Sequence, residues 1–414
     1  MKPRSPLLPI FLIVLVDVMG FTIVIPLLAI YAETFGASPL VATLIVSCYA
    51  VCSLISTPII GRLSDKHGRR PLLLISQAGT CAGFLILASS NALWMVFVGR
   101  IIDGITAGNL SLAQAYISDH TKPEDRATAF GIIGIAFGIG FMFGPWLGGQ
   151  LGVYGLHVPF IAAAGMSLLS ITATSVLLPK EIPPQQPDAP ILPVADAEAL
   201  PRAVVKEAPG GKRPSAFDIA TYADYFRRPG LRMLYVQFFI YTFAFSAFTS
   251  GFALFAERRF GWTQKEVGYV FAYAGLLGIL LQGGLMKRLV KTFGERRLAI
   301  SGFATGIAAY ILLGGAQTVT ILIIAATISS FGNGVIRPAL TSLITQAVGR
   351  HEQGVAIGIS GSLSSLAMTL APPTGGVMLN AGSTLGWALV PATVMSLGLI
   401  STLISRKPRL PSPA

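Results

Sequence analysis

The sequence predicts an all-α membrane protein: twelve transmembrane helices in two pseudo-symmetric six-helix bundles. Composition, long apolar runs and an internal repeat carry that reading. The 414 residues are 53% hydrophobic and 12% charged, with a mean hydropathy of +0.69. A soluble domain carries about twice that share of charge, and so apolar a chain could not cover its surface in water. Apolar runs of about 20 residues, the length of a spanning helix, fall near 8–30, 40–60, 72–90, 93–117, 127–149, 158–178, 230–254, 266–286, 298–316, 318–345, 355–378 and 387–405. The short alternating strands of a barrel are absent from the pattern.

The repeat sets the domain organisation. Gly144-Pro145-Trp146-Leu147-Gly148-Gly149 matches Ala371-Pro372-Pro373-Thr374-Gly375-Gly376 at a shift of 227 residues. Gly68-Arg69-Arg70 matches Gly294-Glu295-Arg296-Arg297, and Gly108 matches Gly334, both at a shift of 226. The expected division is an N-terminal bundle over 1–178, a cytoplasmic linker over 179–229 and a C-terminal bundle over 230–414. Ten prolines between Pro179 and Pro229 break regular structure in that linker. Its end, Ser215–Arg228, has the pattern of a short amphipathic helix on the membrane face; an irregular connector is the alternative.

The formal net charge of +12 does not point to nucleic acid. Lys and Arg gather in the loops on the side of the termini. Only Arg258, Arg259 and Lys265 fall on the other side, while Arg100 and Arg337 stand inside spans. That asymmetry sets orientation and predicts cytoplasmic termini, and loops without a glycosylation pattern point to a bacterial inner membrane. The first apolar run is too long for a cleavable leader. Cys48, Cys52 and Cys81 lie inside spans and read as small packing residues. The four histidines form no catalytic cluster, and no GxxxxGK[ST] phosphate loop is present. An enzyme, an ATP-driven pump, a cofactor and a resident metal are therefore not expected. A monomer in the bilayer, with a small-molecule substrate and protons as partners, is.

Asp17 and Asp103 are the two acids away from the ends of the apolar runs, and a buried intramembrane acid is costly enough to mark function. Asp17 sits among Val14, Leu15, Val16, Val18, Met19 and Phe21, where a charged carboxylate is hard to hold; it is the first candidate for carrying a proton. Arg100 and Asp103, three residues apart, share a helix face and can neutralise each other. A static pair and a proton-coupling element are both consistent with that spacing. Asn109, Gln114, Gln237, Tyr241, Gln282, Asn333 and Arg337 are polar residues inside spans that could line a substrate cavity. Phe238, Phe239, Phe243, Phe245, Phe248 and Phe252 would add aromatic surface.

Gly61-Arg62-Leu63-Ser64-Asp65-Lys66-His67-Gly68-Arg69-Arg70, between spans two and three, resembles the signature loop of the major facilitator superfamily. The resemblance implies the major facilitator fold. It also implies a cytoplasmic latch at Gly61, Asp65, Gly68, Arg69 and Arg70, with Asp119 and Arg126. Gly131, Gly140, Gly144, Pro145, Gly148 and Gly149 in span five resemble the antiporter motif of proton-coupled drug exporters, whose small residues allow close helix packing. Leu15-Val16-Asp17-Val18-Met19-Gly20-Phe21 is similar to span one of the tetracycline/proton antiporters, and the arginine matching Arg100 is associated with proton transfer in the superfamily. These resemblances imply proton-coupled efflux of a small lipophilic drug-like compound by alternating access. The alternative is a proton-coupled importer of a nutrient such as a sugar or organic anion. Tetracycline itself is not supported: those exporters carry a further acid in span three where this chain has Gly83, and span nine holds no carboxylate.

Overall fold

The computed structural model describes residues 7–120, 126–178, 219–349 and 352–405. The first half forms α1 (Leu7–Glu33), α2 (Pro39–His67), α3 (Arg69–Ala88), α4 (Leu93–Ile105), α5 (Asn109–His120), α6 (Arg126–Gly152) and α7 (Val158–Leu177). After the short α8 (Ile219–Arg227), the second half forms α9 (Pro229–Phe260), α10 (Gln264–Leu280), α11 (Met286–Phe293), α12 (Glu295–Gly314), α13 (Val319–Gln346), α14 (Gln353–Asn380) and α15 (Thr384–Ile404). Eleven described segments are long and apolar enough to cross a membrane. α6, with Arg126 its one charged residue over 27 positions, supplies a twelfth.

Local chemistry explains where several helices begin and end. Ser38 caps α2 ahead of Pro39 at the first helical position. Thr263 and Glu266 form a capping box at α10, and Gly261 closes α9 in the left-handed region at φ 65°. Gly68 and Gly294 hold nearly the same backbone, φ 90° ψ 154° and φ 75° ψ 156°. A side chain would resist that conformation, so the sequence repeat is also a repeat of chain direction. Arg70 donates to the carbonyls of Thr174 and Ser175 at the end of α7. Its counterpart Arg296 does the same for Thr402 and Ser405 at the end of α15.

Two expected spans differ from their sequence reading. Residues 93–117 are not one helix: the chain unwinds at Thr106, Ala107 and Gly108 between α4 and α5. The run 266–286 passes through a π-helical turn, Leu281–Leu285, and continues as α11 to Phe293. The linker helix begins at Ile219; residues 215–218 lie outside the described residues.

The cores place the opening. One apolar core joins both halves, with Ile23, Leu28 and Phe84 from the first and Phe252, Phe255 and Trp387 from the second. Two further cores each stay within one half, one around Ile13, Leu73 and Tyr116, the other around Tyr235, Phe303 and Ile344. The halves therefore meet at the face where α1 ends and diverge towards the face that carries the start of α1 and the end of α15. At the sealed face Arg258 pairs with Glu33 at 3.1 Å and donates to the Leu379 carbonyl at 2.7 Å.

Candidate functional site

The seal is built by glycines on the paired spans. A Cβ on Gly149 would lie 2.7 Å from the Gln264 carbonyl oxygen, and one on Gly268 2.6 Å from that of Pro145, so α6 and α10 touch backbone to backbone across the halves. A Cβ on Gly376 of α14 would meet the Thr43 hydroxyl of α2 first, then the backbone of Leu40 and Pro39 at 3.0 and 3.2 Å. Gly140, Gly144 and Gly148 face α1 instead, against Val18, Thr22 and Ile23, and the Thr22 hydroxyl donates to the Gly140 carbonyl at 2.8 Å. The side chains of Arg126 and the surroundings of Gly131 lie outside the described residues.

Where the halves part, a cavity of about 40 Å³ is lined by Phe21, Val24, Leu28, Tyr49, Arg100 and Ser250, among others. It has room for a few waters and is far below the roughly 300–1,000 Å³ of a drug-sized pocket; it is the apex of the cleft. Asp17 follows Phe21, Val24 and Leu28 down one stripe of α1, at i, i+4, i+7 and i+11 spacing, and is partly exposed. Gln77 on α3, fully buried, points its amide at Asp17 Oδ2 at 3.5 Å and donates to Ser170 Oγ on α7 at 2.7 Å. Asp17 makes no ion pair among the described residues.

Arg100 and Asp103 are both buried and pair at 2.6 Å. The guanidinium also lies 4.2 Å from the centre of the Tyr49 ring, a cation–π contact, and its Nε has no hydrogen-bond partner among the described residues. Gly83 explains the missing second acid. A Cβ there would lie 2.8 Å from the Gly99 carbonyl oxygen and 2.9 Å from Asp103 Cβ, so this packing leaves no room for a carboxylate at that position.

The unwound turn beside this pair is held by three hydroxyls. Ser56 donates to the Gly104 carbonyl at 2.7 Å and Thr57 to that of Ala107 at 3.1 Å, both from α2. Ser76 of α3 donates to the Thr106 carbonyl. Non-helical backbone at membrane depth needs such partners. At the 226-residue shift these positions are Gln282, Gly283 and Gly302, which carry no hydroxyl, and the matching stretch of α13 stays helical.

The polar residues named from sequence divide between cleft and core. Asn109 and Gln114 are partly exposed on α5, as is Asn333 on α13. Tyr241 is buried with its hydroxyl 3.5 Å from the Asn333 carbonyl. Arg337 and Gln282 are exposed. Gln237 does not line the cleft: it is 1% exposed and donates to Ser401 on α15. Phe238 and Phe252 likewise belong to the packed cores, and Phe248 packs on Trp387.

The signature loop is mostly helix. α2 runs through Gly61, where a Cβ would meet nothing within 4 Å, so that glycine is not required for a turn or a close approach; Gly68 makes the turn. Arg69 pairs with Asp65 at 2.6 Å and Asp119 at 2.9 Å, all within the first half. Arg70 serves the end of α7, as described above.

Residues 10–292 and 283–414 match the family model of the Major Facilitator Superfamily. The chain is 30% identical over 383 residues to the tetracycline resistance protein, class C, of Escherichia coli, covering 90% of this chain and 89% of that protein. It is 25% identical over 377 residues to multidrug resistance protein 2 of Bacillus subtilis (strain 168), covering 90% and 89%. The crystal structure of the human organic anion transporter MFSD10 superimposes with a TM-score of 0.69 at 23% identity, over 97% of this chain and 100% of that one; that likeness is one of fold. The chain belongs to the Major Facilitator Superfamily: it is a multi-pass membrane secondary transporter related to tetracycline and multidrug efflux proteins.

Proposed function

We propose that this transporter exports a small lipophilic compound in exchange for protons, by alternating access across a bacterial inner membrane. The observation that carries the reading is Asp17: a carboxyl with no ion-pair partner among the described residues, partly exposed one turn from the cleft apex and backed by the Gln77 amide. Such a group can take a proton when the cleft faces one side and lose it when the cleft faces the other. With both termini cytoplasmic, the cleft described here opens inward.

In this reading residues 1–178 and 230–414 are the two moving bundles, tethered by 179–229, and the protein works as a monomer without a cofactor. The Gly149 and Gly376 contacts seal the outer face and separate when the transporter turns outward. Asp65 and Asp119, both more than 40% exposed at their side chains, meet the opposite half when the cytoplasmic ends close. The Arg100–Asp103 pair transmits the state of the cleft to the unwound turn of span four. Asn109, Gln114, Asn333 and Arg337 are offered to substrate.

Proton-coupled uptake of a sugar or organic anion is a second reading, favoured by the exposed arginine in span ten. Purified protein in liposomes with an imposed pH gradient separates the two. Efflux requires solute movement against the proton flow and uptake requires movement with it. Flux that ignores the gradient contradicts both.

A further inference from the structure

Four charged side chains lie away from the span ends: Asp17, Arg100, Asp103 and Arg337. Arg100 and Asp103 neutralise each other. Asp17 in the first half and Arg337 in the second make no ion pair among the described residues.

Arg337 does not face lipid. At about 100° per residue, it stands roughly 140° around α13 from Ile324, an exposed apolar side chain on the outer surface, and about 120° from Phe331. It shares its side of the helix with Asn333 and Ser330 and interacts electrostatically with Tyr241 on α9. That side looks into the bundle, and Arg337 is exposed there because the cleft is open. Depth matches as well. Asp17 lies ten residues from the start of α1 and Arg337 nine residues from the end of α13, each about 14–15 Å in from the same face.

From this opposition we infer that the substrate is dipolar: a lipophilic compound with a cationic group read by Asp17 and an anionic group read by Arg337. An unpaired arginine at membrane depth is costly, and a carboxylate or similar anion offers it a bidentate partner. A cationic group at Asp17 competes there with a proton, which is what exchange requires. A purely anionic solute would not compete, because a proton on Asp17 would favour its binding. The inference rests on the exchange reading above and narrows its substrate class.

The test uses one scaffold in two forms: a fluorescent quinolone carboxylic acid bearing a secondary amine, and its methyl ester, which keeps the amine and loses the anion. Binding to the purified full-length transporter, without any gradient, should be on the order of tenfold weaker for the ester. Arg337→Gln should weaken the acid by a similar factor and leave the ester unchanged, and Arg337→Lys should restore part of the loss. Asp17→Asn should weaken both forms. Should Arg337→Gln not fold, the acid–ester comparison on the wild-type protein still decides. Equal affinity for acid and ester, or equal losses of both in Arg337→Gln, would overturn the inference. Proton coupling is measured separately as gradient-driven flux, so its absence would count against exchange without touching the charge requirement.

Discussion

Gly149 and Gly376, 227 residues apart, make the same contact from opposite halves: each presses its backbone onto the first turn of the second span of the other half. Gly149 meets Gln264 and Lys265 of α10, and Gly376 meets Pro39 and Leu40 of α2. Duplication of the chain has become a pseudo-two-fold seal.

Substitution at either glycine should therefore disfavour the sealed arrangement. Gly149→Leu or Gly376→Leu inserts atoms where backbone, and at Gly376 also the Thr43 hydroxyl, already stands, at a cost of about 1–3 kcal/mol. That corresponds to roughly 5- to 150-fold in a two-state equilibrium. Spin labels on the sealed face should report longer distances in each variant and a larger shift in the double variant. Wild-type distances in both single variants would show that the contact does not set the balance.

The hydroxyl clamp of span four predicts a local effect. Removing Ser56, Thr57 and Ser76 together (to Ala, Val and Ala) takes a donor from each of three carbonyls, at about 1–3 kcal/mol for any left unsatisfied. Hydrogen exchange should quicken around Thr106–Gly108 with little change in the matching stretch of α13. Uniform exchange across both halves would mean that the unwound turn holds itself.

Much of this fold was legible because its signals are local. Apolar runs mark spans one by one, and Gly68 and Gly294 announce the turns whose backbone only glycine accepts readily. What was not legible depends on partners far along the chain. Gly104 and Gly108 stand in plain view in span four, yet the hydroxyls that hold the break come from α2 and α3. Gln77, 60 residues from Asp17, carries a signal as a glutamine inside an apolar run, but nothing local tells which residue it serves. Gly61 misled in the opposite sense: the motif placed it in a loop between spans two and three, and α2 runs straight through it. Gln237 looked like a cavity residue because a span pattern does not say which face packs on α15.

The Arg100–Asp103 pair should behave as a unit. Arg100→Gln or Asp103→Asn alone leaves the partner buried and charged, and should destabilise by about 3–5 kcal/mol. The double variant should recover thermal stability while losing gradient-driven flux, keeping only substrate exchange. Full gradient-driven transport in the double variant would reduce the pair to a packing element.

Outside the membrane, Glu352 accepts two hydrogen bonds from Arg228 at the end of the linker helix. Those bonds hold its carboxyl below the usual glutamate range. The sign follows: the tie contributes stability above the unfolded-state value and is lost as pH falls through the depressed folded value. Both side chains are more than a third exposed, so the effect on global stability stays below about 1 kcal/mol. Hydrogen exchange in α8 should rise on acidification below the ordinary glutamate range, and Glu352→Gln should raise it already at neutral pH. An α8 equally protected in that variant would place its anchor elsewhere.

Asp17 is the centre of the account, and Asp17→Asn in proteoliposomes tests it most directly. The substitution removes the titrating group while keeping the side-chain volume and a polar contact for Gln77. The protein should insert and unfold as wild type does, and solute exchange at equal pH should persist at saturating solute, although binding is weaker. Flux driven by an imposed pH gradient should fall to the level of protein-free liposomes. Undiminished gradient-driven flux from this variant would contradict the assignment of Asp17 as the proton carrier.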